Sequence, residues 1–565
     1  MIGVIVSEKE VEPVIEFFEL FKTPWEFYTP GQNYNVLLST KHCIPQTNQK
    51  LTILFSSDED KTGLFEEISA GTKYKNITAN YESLEAPIYG NLLTFKGKGQ
   101  PILFKEREVA GLKINRSSST IIILGYDLFK EVHHLLSVGQ PKEKAHIPTL
   151  DIHISLLRNM IKEAGIPLVE IPPTPPGYEF MACLTHDIDF AGIREHTLDH
   201  TTLGFIYRAS IWSLARYLMG KLSLRNLMEN WSAVIRLPLV YLGVAKDFWL
   251  QFDAYADIER EFKSTFFFIP FKNRQGNHIS PSRGRKRATQ YDISNLSEIA
   301  KELRDKGFEI GVHGIDAWVN LGKARQERDR ILEYFSGEES GVRIHWLLMN
   351  NDTFNLLEEA GFSYDSTIGY NEAIGYRAGT QQVFKPFGVK RLLELPLHIQ
   401  DTALFFPKRM NLSNNKALEL CERVIRNAKS YHGVVTTLWH DRSLGPERLW
   451  KEFYINLLDK IKEHRVFFAP AGEIVKWFRR RRTVKFKEVC LQPDRIKLIL
   501  DHDGNNEYGD KTPSLVVRLH YPKRQHPGDQ SAPSIGNDYT EVLLNRETFL
   551  EVPFTPFSSN RDFMH

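Results

Sequence analysis

Short apolar runs recur through the middle of the chain, and most are followed by a segment of helical spacing. Met181–Leu184, Thr265–Ile269, Phe308–Val312, Val342–Trp346, Leu392–Leu397, Val434–Trp439 and Val466–Ala469 read as strands, with a weaker one near Phe362. Between them Asn295–Arg304, Lys323–Phe335, Thr353–Ala360, Ala417–Lys429 and Leu449–Glu463 carry apolar residues at helical intervals. Seven or eight such β/α units over residues 180–480 predict an α/β barrel of parallel strands.

The flanks have a different texture. Residues 1–145 read as a small α/β domain. Its strands are Ile2–Val6, Tyr34–Leu38, Leu51–Phe55 and Thr120–Asp127, and its helices are Val11–Phe21 and Leu128–Leu136, an alternation that predicts a parallel sheet. Residues 146–179 hold the helix Leu150–Ala164 and the run Ile171–Gly177, whose four prolines make a stiff connector. In residues 481–565 the helical period vanishes. Ile496–Leu500, Ser514–Leu519 and Thr540–Leu544 stand between loops rich in Gly, Asp, Asn and Pro, which predicts a small all-β domain with a frayed end from Ser558.

Composition narrows the classes. Of 565 residues, 42% are hydrophobic and 25% charged, ordinary for a globular protein, and the net charge of +2 gives no bulk affinity for nucleic acid. Cys43, Cys183, Cys421 and Cys490 lie too far apart for a zinc ribbon or a disulfide framework. The N-terminus does not read as a secretory signal and no apolar run is long enough to span a bilayer, so a cytoplasmic location is the default expectation. The Gly-rich phosphate-binding motifs do not occur in the first domain.

The chemistry gathers after the strands. Thr185-His186-Asp187-Ile188-Asp189 closes the first, and alternation along a strand sends Asp187 and Asp189 to one side. Asn273 and Arg274 follow the second strand, His313 and Asp316 the third, and His345 and Asn350 go with the fourth. Asp365, then Glu394 and His398, then His440 and Asp441 mark later strands. In a parallel barrel these ends share one rim, where active sites are built. Two adjacent carboxylates need a cation or a proton between them. Asp189 and His313 suit a divalent metal, Asp187 can accept a proton from water, and His440 can protonate a leaving group.

Leu184–Asp189 resembles the first motif of the polysaccharide deacetylases, carbohydrate esterase family 4, and Glu309–Gly314 resembles the second. Gly375-Tyr376-Arg377 and Leu438-Trp439-His440 resemble later motifs, so the likeness spans residues 180 to about 478. It implies an irregular (β/α)7 barrel that removes acetyl from an N-acetylated sugar in cell-surface polysaccharide biosynthesis, with a divalent metal, zinc being the first expectation. It implies Asp187 as base, Asp189 and His313 as metal ligands, His440 as acid and Arg377 as the group orienting the base. The family's second motif carries another histidine four residues on, where this chain has Ala317; Asp316 is the candidate replacement ligand, or else an acid that caps a helix after Gly314. The alternative is an inactive barrel that binds glycans or serves as scaffold in an envelope-building complex.

Two further stretches bear on partners. Lys272, Arg274, Arg283, Arg285, Lys286 and Arg287 lie in one loop without an acid between them and would attract a phosphate-linked or lipid-linked sugar, unless the loop is merely solvated. Residues 203–250, inserted between the first two strands, mix aromatic, aliphatic and basic side chains. They fit either a lid packed on the protein, the favoured expectation, or a helix pair lying in a membrane interface.

Overall fold

The structure, a computed structural model, describes all residues except 42–44, 46–48, 59–66, 83, 198, 278–286, 336–339, 493–494, 503–512, 523–538, 545–548 and 554–565. Cys43, three of the loop cations (Arg283, Arg285 and Lys286) and the stretch from Ser558 lie outside the described residues. The chain forms two compact units. One comprises Met1–Gly177, Ala378–Thr380 and Lys476–His565, and the other Tyr178–Arg377 and Gln381–Val475.

The first unit holds a nine-stranded mixed sheet. Trp25–Phe27, Ile2–Ile5, Val36–Ser39, Leu51–Phe55 and Thr120–Leu124 run parallel in that order, as the β/α alternation predicts. Beyond Thr120–Leu124 the sheet turns antiparallel through Glu108–Asn115 and Gln100–Lys105 to the long hairpin Ile68–Tyr81 and Leu84–Gly97. This half departs from the all-parallel expectation. Two register shifts, Ala70/Lys73 and Lys75/Ile77, break the period-two pattern by which such strands are recognised. The expected separate domains 1–145 and 481–565 share this one unit. Leu168–Glu170, beside the proline-rich run, pairs antiparallel with Leu515–His520, and Val484–Leu491, Arg495–His502 and Phe549–Pro553 form another antiparallel sheet.

The second unit is a curled parallel sheet with helices outside it. From Leu393–Glu394 the order runs Tyr364–Asp365, Gly341–Ile344, Glu309–Gly314, Thr265–Phe268, Phe180–Ile188, Val434–Leu438 and Ile399–Gln400. The first and last of these are halves of one stretch. Leu393–Glu394 pairs with Tyr364–Asp365, and Ile399–Gln400 pairs with Thr437–Leu438, so a single segment bridges the two edges. Val466–Phe468 adds beside Phe180–Ala182.

Alternation sorts the side chains. Phe180, Ala182, Leu184 and Ile188 join Phe266, Phe268, Ile310, Val312, Val342 and Ile344 in the core under the helices. Asp187, Phe267, His313 and Arg343 occupy the other face, and a Cβ at Gly311 would lie 2.6 Å from the Phe267 ring, so glycine makes room for it there. His186 points outward and is a core residue. Its Nε2 meets the Glu259 carboxylate at 3.0 Å and its Nδ1 lies 3.0 Å from the Trp439 carbonyl.

Candidate active site

The strand Phe180–Ile188 runs on through the first acidic residue, so Asp187 is held by the sheet and Asp189 by the turn after it. That turn is stapled across the rim. The buried Asp441 carboxylate accepts from the backbone N–H of Phe190 at 2.8 Å and of Ala191 at 2.7 Å, while Asp441 N–H donates to the Asp187 carbonyl at 3.2 Å. The two loops carrying the acids and His440 therefore have a fixed separation.

Asp189, His313 and His345 form a three-donor cluster whose ligand atoms all lie within 4.8 Å of one another. Asp189 Oδ1 is 3.3 Å from His313 Nε2 and 3.5 Å from His345 Nε2. That carboxylate oxygen is buried and makes no hydrogen bond, so two imidazole nitrogens converge on an otherwise unpartnered acceptor. His313 Nδ1 lies 2.9 Å from the Arg343 carbonyl, which places its proton on Nδ1 and turns the Nε2 lone pair into the cluster. One carboxylate and two imidazoles are a donor set suited to zinc or a similar divalent ion. The residues present therefore fit the metal that the sequence implies.

The third donor is His345, and Asp316 stands apart from the cluster. Its carboxylate is 2.7 Å from Lys323 Nζ, accepts from Asn277 N–H at 2.7 Å and faces Arg287 at 3.7 Å. The expected strand through Trp346 ends at Ile344. Trp346 then takes the left-handed conformation, φ 66°, and carries the chain off the sheet beside His345. Such a backbone in a non-glycine residue is costly and collects at functional sites. Arg287 supports the turn. It is fully buried and donates to the carbonyls of Ile315 and, at 3.4 Å, His345, so this member of the expected basic loop is a structural strut.

Asp187 and His440 flank the cluster. Asp187 Oδ2 lies 3.6 Å from His313 Nε2, and Oδ1 accepts from Arg343 Nη1 at 3.0 Å. The buried Arg343 is held in turn by Thr185 Oγ1 at 2.7 Å and by Ser366 through Oγ at 2.8 Å and O at 2.9 Å, and it lies over the Phe267 ring at 4.7 Å. Arg377, expected in this role, instead donates to the Gly369 carbonyl at 3.1 Å. On the other side His440 Nε2 is 3.7 Å from Asp189, while its Nδ1 meets Asp401 Oδ1 at 2.7 Å. Asp401 is fixed by His440 N–H at 2.8 Å and by the Ser443 hydroxyl. The structure thus gathers Asp187, Asp189, His313 and His440 and leaves out Asp316 and Arg377; His345, Arg343 and Asp401 join instead.

Electrostatics divide the imidazoles. Burial pushes His345 down to about 3 despite the Asp189 charge, so it is a neutral donor at physiological pH. Burial also opposes the charge on His440, but Asp401 and then Asp189 outweigh it and raise the group above its ordinary value. Burial likewise lowers His313, and Asp187 with Asp189 reverses it. Asp189 itself is pushed up by burial and pulled further down by the three imidazoles, ending well below the usual carboxylate range.

No family model matches the sequence, and no curated protein matches it. Solved structures similar to it include polysaccharide deacetylases and carbohydrate esterase family 4 members. One from Mycobacterium smegmatis, described as a polysaccharide deacetylase, is 17% identical, with 57% of this chain and 100% of that chain covered, TM-score 0.33. One from Pseudomonas aeruginosa, so described too, is 14% identical, with 55% and 94% covered, TM-score 0.34. A carbohydrate esterase family 4 pseudoenzyme from Bacillus anthracis is 12% identical, with 53% and 66% covered, TM-score 0.25. At these values the likeness by itself transfers no activity.

Proposed function

We propose that the second unit is a divalent-metal-dependent deacetylase of the carbohydrate esterase family 4 kind, hydrolysing the amide of an N-acetylated sugar used in cell-surface polysaccharide synthesis. The observation that carries this reading is the arrangement around Asp189. A one-carboxylate, two-imidazole donor set stands between an arginine-held carboxylate and a carboxylate-held imidazole. Zinc or a like cation on Asp189, His313 and His345 would supply Lewis acidity toward an acetyl oxygen and toward water. Asp187, oriented by Arg343, accepts the proton from the attacking water. His440, kept in one tautomer by Asp401, delivers a proton to the departing nitrogen. Two oppositely acting proton carriers on either side of one cluster are what amide hydrolysis needs.

Elemental analysis of the purified full chain, paired with acetate release from N-acetylated oligosaccharides, tests this. The expected result is close to one divalent ion per chain and release that a chelator abolishes and added zinc restores. A protein that holds no metal after zinc loading, or that holds it and releases acetate from none of these substrates, overturns the reading and leaves a glycan-binding or scaffold barrel.

A further inference from the structure

The insertion after the first barrel strand is a helical hairpin with two apolar faces, only one of which is covered. His200–Tyr207, Arg208–Trp212 and Ser213–Leu218 run on as one helical stretch with a π-turn in the middle, and Leu224–Tyr241 returns alongside it. In the first arm Thr202, Phe205, Ala209 and Ser213 are buried. In the second arm Leu227, Asn230, Ala233, Leu237 and Val240 are buried, and Asn230 Nδ2 meets Ser213 Oγ at 3.3 Å between the arms.

The opposite faces are apolar as well. Leu203, Tyr207, Ile211, Leu214 and Leu218 recur at intervals of three and four along the first arm, and all are exposed. Leu224, Met228, Trp231, Ile235, Leu239 and Leu242 do the same along the second, with Leu218 75%, Ile235 76% and Leu242 75% exposed. Among the described residues of the second unit, every exposed large apolar side chain except Tyr178 lies between Leu203 and Val244. Scattered exposed apolar residues are normal, whereas a concentration on one helix pair marks an interaction surface.

Charge selects the partner. From Leu203 to Lys246 the chain has six cations, Arg208, Arg216, Lys221, Arg225, Arg236 and Lys246, against one acid, Glu229. Lys221, Arg225 and Arg236 are exposed beside the apolar stripe. Aliphatic and aromatic side chains on one face with cations along its border suit a surface whose interior is hydrocarbon and whose boundary is anionic. Among the described residues no helix is long and apolar enough to cross a membrane, so such a hairpin would lie in the interface and not span it.

We propose that this hairpin docks the protein on an anionic lipid bilayer. The hairpin is tied to the active rim. Arg208 Nε meets the Glu447 carboxylate at 2.5 Å, Asn230 Oδ1 accepts from Glu447 N–H at 2.6 Å, and Glu447 belongs to the loop that begins at His440. Docking through the exposed stripe therefore holds the rim at the lipid surface.

Co-sedimentation of the full chain with vesicles tests this, using phosphatidylcholine alone and phosphatidylcholine mixed with phosphatidylglycerol. Wild type is expected to pellet with the mixed vesicles and to be released in part by salt. The exposed-stripe variant I211S/L218S/I235S/L242S should weaken that partitioning by about tenfold or more. The variant K221E/R225E/R236E leaves the stripe intact and should lose the preference for the anionic vesicles, giving a second readout if the serine variant folds poorly. Failure of wild type to pellet with either vesicle overturns the proposal, as does pelleting that both variants leave unchanged. An oligomer that the serine variant converts to monomer, without vesicle binding by wild type, would assign the face to a second copy of this chain.

Discussion

The residues that do the proposed chemistry were partly legible because strand alternation is local. Alternation predicts Asp187 and Asp189 on one side, although Asp189 stands in the turn just past the strand, and His313 and His440 follow strands whose apolar runs are plain. His345 was legible as a residue at the end of the fourth strand but not as a ligand, and Arg343 was not legible. Arg343 sits inside a strand, where a cation reads as an edge residue, and only the fold reveals Asp187 across from it at 3.0 Å. His345 needs the turn at Trp346, and nothing in the local pattern predicts a left-handed tryptophan. Substitutions separate the roles. Asp187→Asn should keep its metal and lose turnover by about 10²-fold or more, as for loss of a general base. Arg343→Lys should follow it in kind, because one ammonium cannot replace a guanidinium that contacts Asp187, Thr185 and Ser366 together. His345→Ala should lose bound metal, whereas Asp316→Ala should retain it and forfeit the contacts with Lys323, Asn277 and Arg287. Metal content by elemental analysis checks the pair, and metal loss confined to Asp316→Ala would restore the expected ligand.

At the scale of elements, the loop after His313 is shaped by a helix that contributes nothing else to the site. Glu327, in Leu321–Leu332, is fully buried and accepts from the backbone N–H groups of Ile315 at 2.9 Å, Asp316 at 2.8 Å and Ala317 at 3.2 Å. Three amides in a tight turn thereby find a partner, as buried backbone donors must. Apolar spacing predicts a helix from near Lys323, but not that one of its acids reaches back into the turn, because the contact depends on how helix and strand pack. Burial pushes Glu327 up to about 7 in spite of those amides. In the unfolded chain it ionises near pH 4.3. The folded state therefore binds the extra proton, and the contribution from Glu327 is fully present below that value and fades as the pH rises through about 7. Wild type should lose melting temperature across this window, and Glu327→Gln, which cannot ionise, should show a flatter profile. A Gln variant as pH-sensitive as wild type would assign the titration elsewhere. Glu327→Ala strands three buried amides and should cost about 2–4 kcal/mol at the acid end of the window, where the Glu327 contribution is fully present.

At the scale of the whole molecule, local texture marks where the chain changes character but not which distant segments pair. Four prolines precede Tyr178 and the texture changes after Arg482, while the two compact units divide at Gly177 and Lys476. That residues before and after the curled parallel sheet form one unit could not be read, because pairing between Leu168–Glu170 and Leu515–His520 joins segments some 350 positions apart, and no local pattern names a distant partner. A single arginine is central to that union. Arg481 is buried, and its guanidinium donates through Nε to Ile171 O at 2.9 Å, through Nη1 to Glu19 O at 2.8 Å, and through Nη2 to Leu20 O at 2.9 Å and Ile171 O at 2.8 Å. The end of the helix Val11–Phe21, the proline-rich run and the helix Ala471–Thr483 thus share one set of donors, and Trp477 Nε1 adds a bond to Pro173 O at 2.7 Å. The cation is costly to bury: desolvation pulls Arg481 down to about 9, and the site is worth keeping only while all three nitrogens are bonded. A lysine keeps the charge but concentrates its donors at one point, so it cannot reach Glu19, Leu20 and Ile171 at once. Methionine removes the charge and leaves the same carbonyls without their donors. Both Arg481→Lys and Arg481→Met should therefore destabilise the first unit by about 2–4 kcal/mol, lysine no less than methionine because its charge stays buried and underbonded. Urea unfolding followed by tryptophan fluorescence checks this, since Trp25 and Trp477 both report on that unit. If lysine restores wild-type stability while methionine does not, the charge matters and the fork geometry does not, and the clamp described here is not what joins the two ends of the chain.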